Sequence, residues 1–319
     1  MTKIKIPSFL KAGDKIGIIA PASAINYTEM IPGINRLKNE WKLEVVEGQT
    51  LKSSFNQFSA SDEDRLTDFQ KMLDDPSIKA IMAARGGYGC SRIVDDLDFT
   101  NFIQSPKWII GFSDLTVVHS QLFKLGITSV HAPMVKSMML PGAEEAADSL
   151  RKVLFGELPS YSINSHSLNR PGTATGQLVG GNLCLFAHLI GSVTDIDTKG
   201  KILFIEDVNE YLYNLDRMMI QLKRAGKLDH LAGLIVGQFT DMKDNSRPAF
   251  GKNAYEIIHE HVSEYDYPLS FNFPVGHVSD NRAMIVGMES RLDVQKNSVD
   301  FHFVSDKIPV INALKDGIV

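Results

Sequence analysis

Three short apolar runs in the first third of the chain, 15–20, 79–84 and 108–111, each break off abruptly. The breaks are Pro21, Arg85-Gly86-Gly87-Tyr88-Gly89 and Gly111-Phe112-Ser113-Asp114. Runs of this length, bounded by glycine or proline, read as strands buried on both faces. The intervening sequence carries helical periodicity: Met30, Ile31, Ile34 and Leu37 within 27–40, then Leu66, Phe69, Met72 and Leu73 within 61–73. Ser61 before Asp62-Glu63-Asp64 supplies an N-cap and an acidic first turn. A further strand is expected at 43–47 and a further helix at 91–97. Strand and helix alternating in this way predict a parallel sheet covered by helices on both faces. Ligands of such sheets gather beyond the C-terminal strand ends. Both glycine-rich breaks, after 84 and after 110, fall there.

The pattern changes near residue 140. Pro141-Gly142, Pro159-Ser160 and the polar stretch 164–172 read as a connection. The expected organisation is an N-terminal domain over 1–150, a linker over 151–172, and a smaller mixed α/β domain over 173–319. In that second domain strands are expected at 173–178, 201–206, 233–239, 291–294 and 299–303, with helices at 182–190, 214–226 and 251–262. A chain of 319 residues can bury the cores of two such domains. Its net charge of −5 argues against nucleic-acid and anionic-membrane partners. No stretch approaches the ~18 apolar residues of a membrane span, and the charged N-terminal region lacks a signal-like apolar core. Cys90 and Cys184 have no metal-ligand spacing and read as reduced thiols, which fits a cytoplasmic protein.

A strand running into Gly111-Phe112-Ser113-Asp114 and then a helix can hold a serine hydroxyl at a sheet edge. The next amides then sit at a helix N-terminus, where negative charge is favoured. The same residues also fit a serine that only caps the helix. A nucleophilic serine needs a base, and the base an orienting group. Of nine histidines, His277 stands out because Phe273-Pro274-Val275-Gly276 leads into it from a loop. His131, before Ala132-Pro133-Met134, is a candidate for a pocket wall. Residues 201–207 form an apolar strand ending in Glu206 and Asp207, carboxylates that invite a partner. The turn at Arg85-Gly86-Gly87-Tyr88-Gly89 fits a phosphate loop, an oxyanion donor or a plain tight turn, and spacing alone does not rank these.

Taken together, these segments resemble the LD-carboxypeptidase family of serine peptidases, which hydrolyse the L,D bond of murein tetrapeptides. The matching pieces are Ala84 to Gly89, Trp108 to Thr116, His131-Ala132-Pro133-Met134, Gly180-Gly181-Asn182-Leu183, Ile205-Glu206-Asp207-Val208, Asp216-Arg217-Met218 and Gly276-His277, in order along the chain. The resemblance implies Ser113 as nucleophile, Glu206 as acid and His277 as general base. It also implies an oxyanion hole of backbone amides at Asp114 and at Gly86 or Gly87. A flavodoxin-like N-terminal domain, a smaller β-rich C-terminal domain, a cytoplasmic homodimer, and no metal or cofactor are further expectations of the resemblance. Arg85 suits a clamp on the substrate's terminal carboxylate, and Tyr88 and His131 are the other substrate-contact candidates. Phe112 stands where the family often has tyrosine, and 279–287 departs from the family's usual pattern. A related branch confers immunity to peptide–nucleotide microcins, and a silent peptide- or sugar-binding protein on the same fold is the alternative from another class.

Overall fold

The computed structural model describes residues 4–304. Its first half runs β1 (Lys15–Ile19), α1 (Ile31–Asn39), β2 (Glu44–Glu47), α2 (Asp62–Asp74) and β3 (Ile78–Ala83). There follow α3 (Thr100–Gln104), β4 (Trp108–Gly111), α4 (Thr116–Lys124), β5 (Ser129–His131) and α5 (Glu144–Leu154). The second half is β6 (Ser160–Asn164), β7 (Gly172–Asn182), α6 (Leu183–His188), β8 (Ile202–Val208), α7 (Leu212–Arg224), β9 (Gly233–Thr240) and α8 (Ala254–Val262). It ends with β10 (Leu269–Ser270), β11 (Met284–Val286), β12 (Glu289–Val294) and β13 (Ser298–Phe303).

The first sheet has the order β11-β5-β4-β3-β1-β2. Strands β1 to β5 are parallel, in the 2-1-3-4-5 order of flavodoxin-like folds. At the far edge β11 adds antiparallel to β5, pairing Met284 with His131. The second sheet, β10-β9-β8-β7-β12-β13-β6, is mixed: its β10-β9-β8-β7 half is parallel and the rest antiparallel. The fold is thus mixed α/β with a parallel sheet and a second mixed sheet. Ile18, Met82, Ile110 and Val130 of the first sheet share one buried cluster with Phe204 and Ile235 of the second and with Phe273. That continuous apolar contact fixes the two sheets against each other and brings the ends of β4 and β8 together.

Most expected elements form. Ser61 Oγ accepts the Asp64 N–H at 3.1 Å, capping α2 as its sequence requires. At 91–97 the expected helix is replaced by two three-residue 3₁₀ turns, Cys90–Arg92 and Val94–Asp96. The Cys90 N–H, just before the segment, is drawn to the Asp114 carboxylate, and the chain starts there in a 3₁₀ turn. Segment 151–172 contains the end of α5 and the edge strand β6, which pairs with β13 across more than a hundred residues of sequence. Among the described residues, no helix is long and apolar enough to cross a membrane.

Candidate active site

The loop after β3 and the turn after β4 meet at the C-terminal edge of the first sheet. Ser113 sits at the start of the turn with φ of +62°, in the left-handed region. A residue with a Cβ pays about 1–2 kcal/mol for that conformation, so the turn must be held from outside. Buried His119 does part of this: its Nε2–H donates to Gly111 O at 2.8 Å, while Nδ1 accepts from Ser129 Oγ at 2.8 Å. The carbonyl can only accept, which fixes the tautomer. Burial pushes His119 down to about 4, against the pull of the Gly111 hydrogen bond, so the ring is neutral near pH 7. From the second sheet, Asn182 N–H donates to Thr116 Oγ1 at 3.0 Å. The Ser113 side chain caps nothing, since neither helical segment that follows has a side-chain cap.

Asp114 ties this turn to the glycine loop. Its carboxylate is fully buried and accepts the Cys90 N–H at 2.7 Å. Burial raises its pKa, while the hydrogen bonds from Cys90 oppose the rise. On the other side of the loop, buried Arg65 donates to Pro21 O at 2.5 Å and Gly89 O at 2.9 Å. Ser23 completes the loop's support: its N–H donates to Gly86 O at 3.4 Å, and its Oγ accepts the Tyr88 N–H at 3.2 Å. Among the described residues, the amides of Gly86, Gly87 and Asp114 donate to no other group. A Cβ on Gly86 would lie 3.1 Å from Ser113 Oγ and 3.5 Å from Asp114 N. The loop therefore lies directly against the serine.

The loop that carries His277 comes from the second half. Glu206, at the end of β8, has no exposed surface, and its Oε2 accepts the His277 Nδ1–H at 2.7 Å. Gly276 allows that approach. Its φ is +126°, and a Cβ there would stand 2.9 Å from both Glu206 Cβ and Glu206 Oε2. Burial pulls the His277 pKa down, but the charge and hydrogen bond of Glu206, helped by Asp207, outweigh it and leave the imidazole above its ordinary value. Asp207 is pushed up to about 6 by burial and then by Glu206. It accepts from Asn182 Nδ2, Cys184 N and Val208 N, so it anchors the start of α6 rather than facing solvent.

A cavity of about 490 Å³ opens over these elements, lined among others by Arg85, Gly86, Gly87, Ser113, Lys136 and His277. Glu206 lies behind His277, out of the cavity. Ser113 and His277 share the wall, and among the described residues no hydrogen bond joins them. Such contacts often tighten only when substrate is bound. Phe112 packs edge-on against the His277 ring, with centroids 4.9 Å apart. Two substrate-contact candidates fall elsewhere. His131 is fully buried, between Phe112 and Phe204. Tyr88 is exposed beside Phe58, off the cavity wall. Lys136 and Asn209 on the wall carry no local sequence signal; only the long-range path of the chain brings them there. Among the described residues, no cluster of three or more His, Cys, Asp or Glu side chains is placed to hold a metal ion.

Two family models match the chain, the LD-carboxypeptidase N-terminal domain over residues 16–132 and the LD-carboxypeptidase C-terminal domain over 175–292. A probable murein peptide carboxypeptidase of Bacillus subtilis is 32% identical over 92% of each chain. A murein tetrapeptide carboxypeptidase of Pseudomonas aeruginosa is 29% identical over 88% of this chain and 93% of its own. The crystal structure of muramoyltetrapeptide carboxypeptidase from Oxalobacter formigenes superposes with a TM-score of 0.82 at 28% identity, covering 91% of this chain and 99% of that one. The microcin C7 self-immunity protein MccF of Escherichia coli is more distant, at 24% identity over 91% of this chain and 95% of its own.

Proposed function

This chain belongs to the LD-carboxypeptidase family, and on that premise we propose that it is a serine carboxypeptidase releasing the terminal D-alanine of murein tetrapeptides. The observation that carries the reading is His277, bonded to the buried Glu206 at 2.7 Å, on the same cavity wall as a serine held with φ of +62°. In the proposed reaction His277 Nε2 takes the Ser113 proton as Oγ attacks the carbonyl preceding the terminal D-alanine. The new C–O bond places negative charge on the carbonyl oxygen. Asp114 N–H is one donor to that oxyanion, worth about 3 kcal/mol by analogy with other oxyanion holes. Gly87 N–H is the other: in a trans peptide it points opposite to Gly86 O, which is turned toward Ser23. The imidazolium, stabilised by Glu206, then protonates the leaving nitrogen, the C–N bond breaks and D-alanine departs. Water, deprotonated by His277, cleaves the resulting ester and restores Ser113.

An exopeptidase must also recognise a free carboxylate. Arg85 suits this role: one guanidinium N–H is anchored on Ala24 O at 3.0 Å, and the residue lines the cavity. Lys136 on the same wall is ion-paired with Glu29, so Arg85 is the cation this wall offers an anionic peptide. The test is turnover of three substrates: a murein tetrapeptide ending in D-alanine, the same peptide ending in L-alanine, and an aminoacyl-sulfamoyl adenosine. Turnover of the first and little of the others is expected. Preference for the nucleotide would favour the microcin-immunity branch, and binding without turnover of any of them would favour a silent binding protein.

A further inference from the structure

The buried histidine His131 is not used in the reaction above, yet it lies against the machinery. It has no exposed surface, and neither ring nitrogen has a hydrogen-bond partner among the described residues. A buried imidazole without partners is costly, so its place calls for a reason. The ring stands edge-on to Phe204 at 5.1 Å and against Phe112 at 5.7 Å, and Phe112 in turn packs on His277. Its polar neighbour is Asn281. The Asn281 side chain is equally buried, and its Nδ2 is also without a partner, while its Oδ1 accepts the Gly276 N–H at 2.9 Å. Asn281 thus grips the residue immediately before the base, on the glycine whose backbone lies against Glu206.

We propose that His131 and Asn281 form a positioning pair, in which a neutral His131 accepts the Asn281 Nδ2–H and Asn281 holds the Gly276–His277 loop at its working distance from Ser113. The topology gives this pair its use. His131 ends β5, beside the strand that delivers Ser113, whereas Asn281 belongs to the segment that follows the base. The pair therefore bridges the part of the molecule that places the nucleophile and the part that places the base. It requires an uncharged ring. Burial keeps His131 neutral, with the neighbouring His119 and His277 adding to that tendency, and only the neutral ring has a lone pair to accept the Asn281 Nδ2–H. Asp207 and Glu206 face His277 from β8 and keep their own roles in its charge.

The inference rests on the proposed catalytic reading, and its test has an arm that does not. His131→Phe keeps the ring volume between Phe112 and Phe204 but cannot accept a hydrogen bond, and Asn281→Ala removes both contacts. Each is expected to lower kcat by about 10²-fold, the typical cost of a small displacement of a reacting group, with KM within about twofold of the unaltered protein. The double variant should be no worse than the poorer single one, because both changes break one connection. Independent of any substrate, the downfield proton resonance of His277 Nδ1–H, hydrogen-bonded to Glu206, should broaden or shift in both variants and stay in place in a surface control such as Lys296→Ala. Wild-type kcat together with an unmoved resonance in a folded His131→Phe protein would overturn the pairing. A moved resonance in a protein inactive on every peptide would instead leave the pair intact and sink the substrate assignment.

Discussion

Replacing Glu206 by glutamine keeps its size and removes its charge, and the structure sets how much that should cost. The carboxylate is fully buried and lies 2.7 Å from His277 Nδ1, so the imidazolium formed during attack loses a counter-charge at roughly 4 Å between charge centres. At an effective dielectric near 20 this interaction is about 4 kcal/mol, or about 10³-fold in rate. A glutamine can also present its NH₂ to Nδ1, which would force the proton onto Nε2 and leave no lone pair for Ser113. The expected loss in kcat is therefore about 10³- to 10⁴-fold, read as D-alanine release coupled to D-amino acid oxidase. The pH profile supplies a second, signed readout. In the wild type Glu206 holds the His277 pKa above the ordinary 6.5, so the acid limb of kcat/KM should lie above that value. In the variant only Asp207 still opposes the lowering effect of burial, and the limb should move to lower pH even as the plateau falls. A Glu206→Gln enzyme within tenfold of wild type, with its acid limb unmoved, would refute the role of Glu206.

Three further outcomes follow from the same geometry. Gly86→Ala puts a methyl 2.9 Å from Ser113 Cβ and 3.1 Å from Ser113 Oγ, so the loop or the serine must shift and kcat should fall by about 10²-fold or more, checked by steady-state kinetics beside thermal melts. Arg85→Gln should raise KM for a tetrapeptide acid much more than for its C-terminal amide, and an equal rise for both would remove the carboxylate clamp. His119 carries a pH signature in stability. Its folded pKa of about 4 lies below the ordinary 6.5, so between those values the unfolded chain takes up a proton that the folded one does not. Stability on this account is present above pH 6.5 and is lost as pH falls toward 4, by up to about 3 kcal/mol. Asp207, with its raised pKa, acts in the opposite sense over part of that window, so urea titrations should compare His119→Gln with wild type; the difference between them should shrink as pH falls.

The parallel half of the fold was legible because its strands are short, buried on both faces and punctuated by Pro21, Gly86-Gly87 and Gly111. Helix α2 was equally legible, since Ser61 and its acidic first turn are local signals. Strands β6 and β11 were not, because each exists only through a distant partner, β13 for one and β5 for the other. Segment 91–97 has helical apolar spacing, while the Cys90 N–H just before it answers to Asp114. At the site, the residues alone leave Ser113 between cap and nucleophile and mark His277 only by its loop setting; the ordered motifs of the family resemblance make the choice. What no local pattern could reveal is that Glu206 and His277, 71 residues apart, would be in contact. Nor could it reveal that His131, read as a pocket wall, would be sealed behind Phe112. Both depend on how the two sheets pack against each other.

The central claim is that Ser113 is the nucleophile, and Ser113→Ala tests it most directly. The variant loses one oxygen from a side chain that caps nothing, so its circular dichroism and thermal midpoint should stay close to those of the wild type. Release of D-alanine from a murein tetrapeptide should fall by about 10⁴-fold or more, leaving only the residual contribution of the oxyanion donors and binding. A folded Ser113→Ala protein that still released D-alanine at a tenth of the wild-type rate would contradict the account.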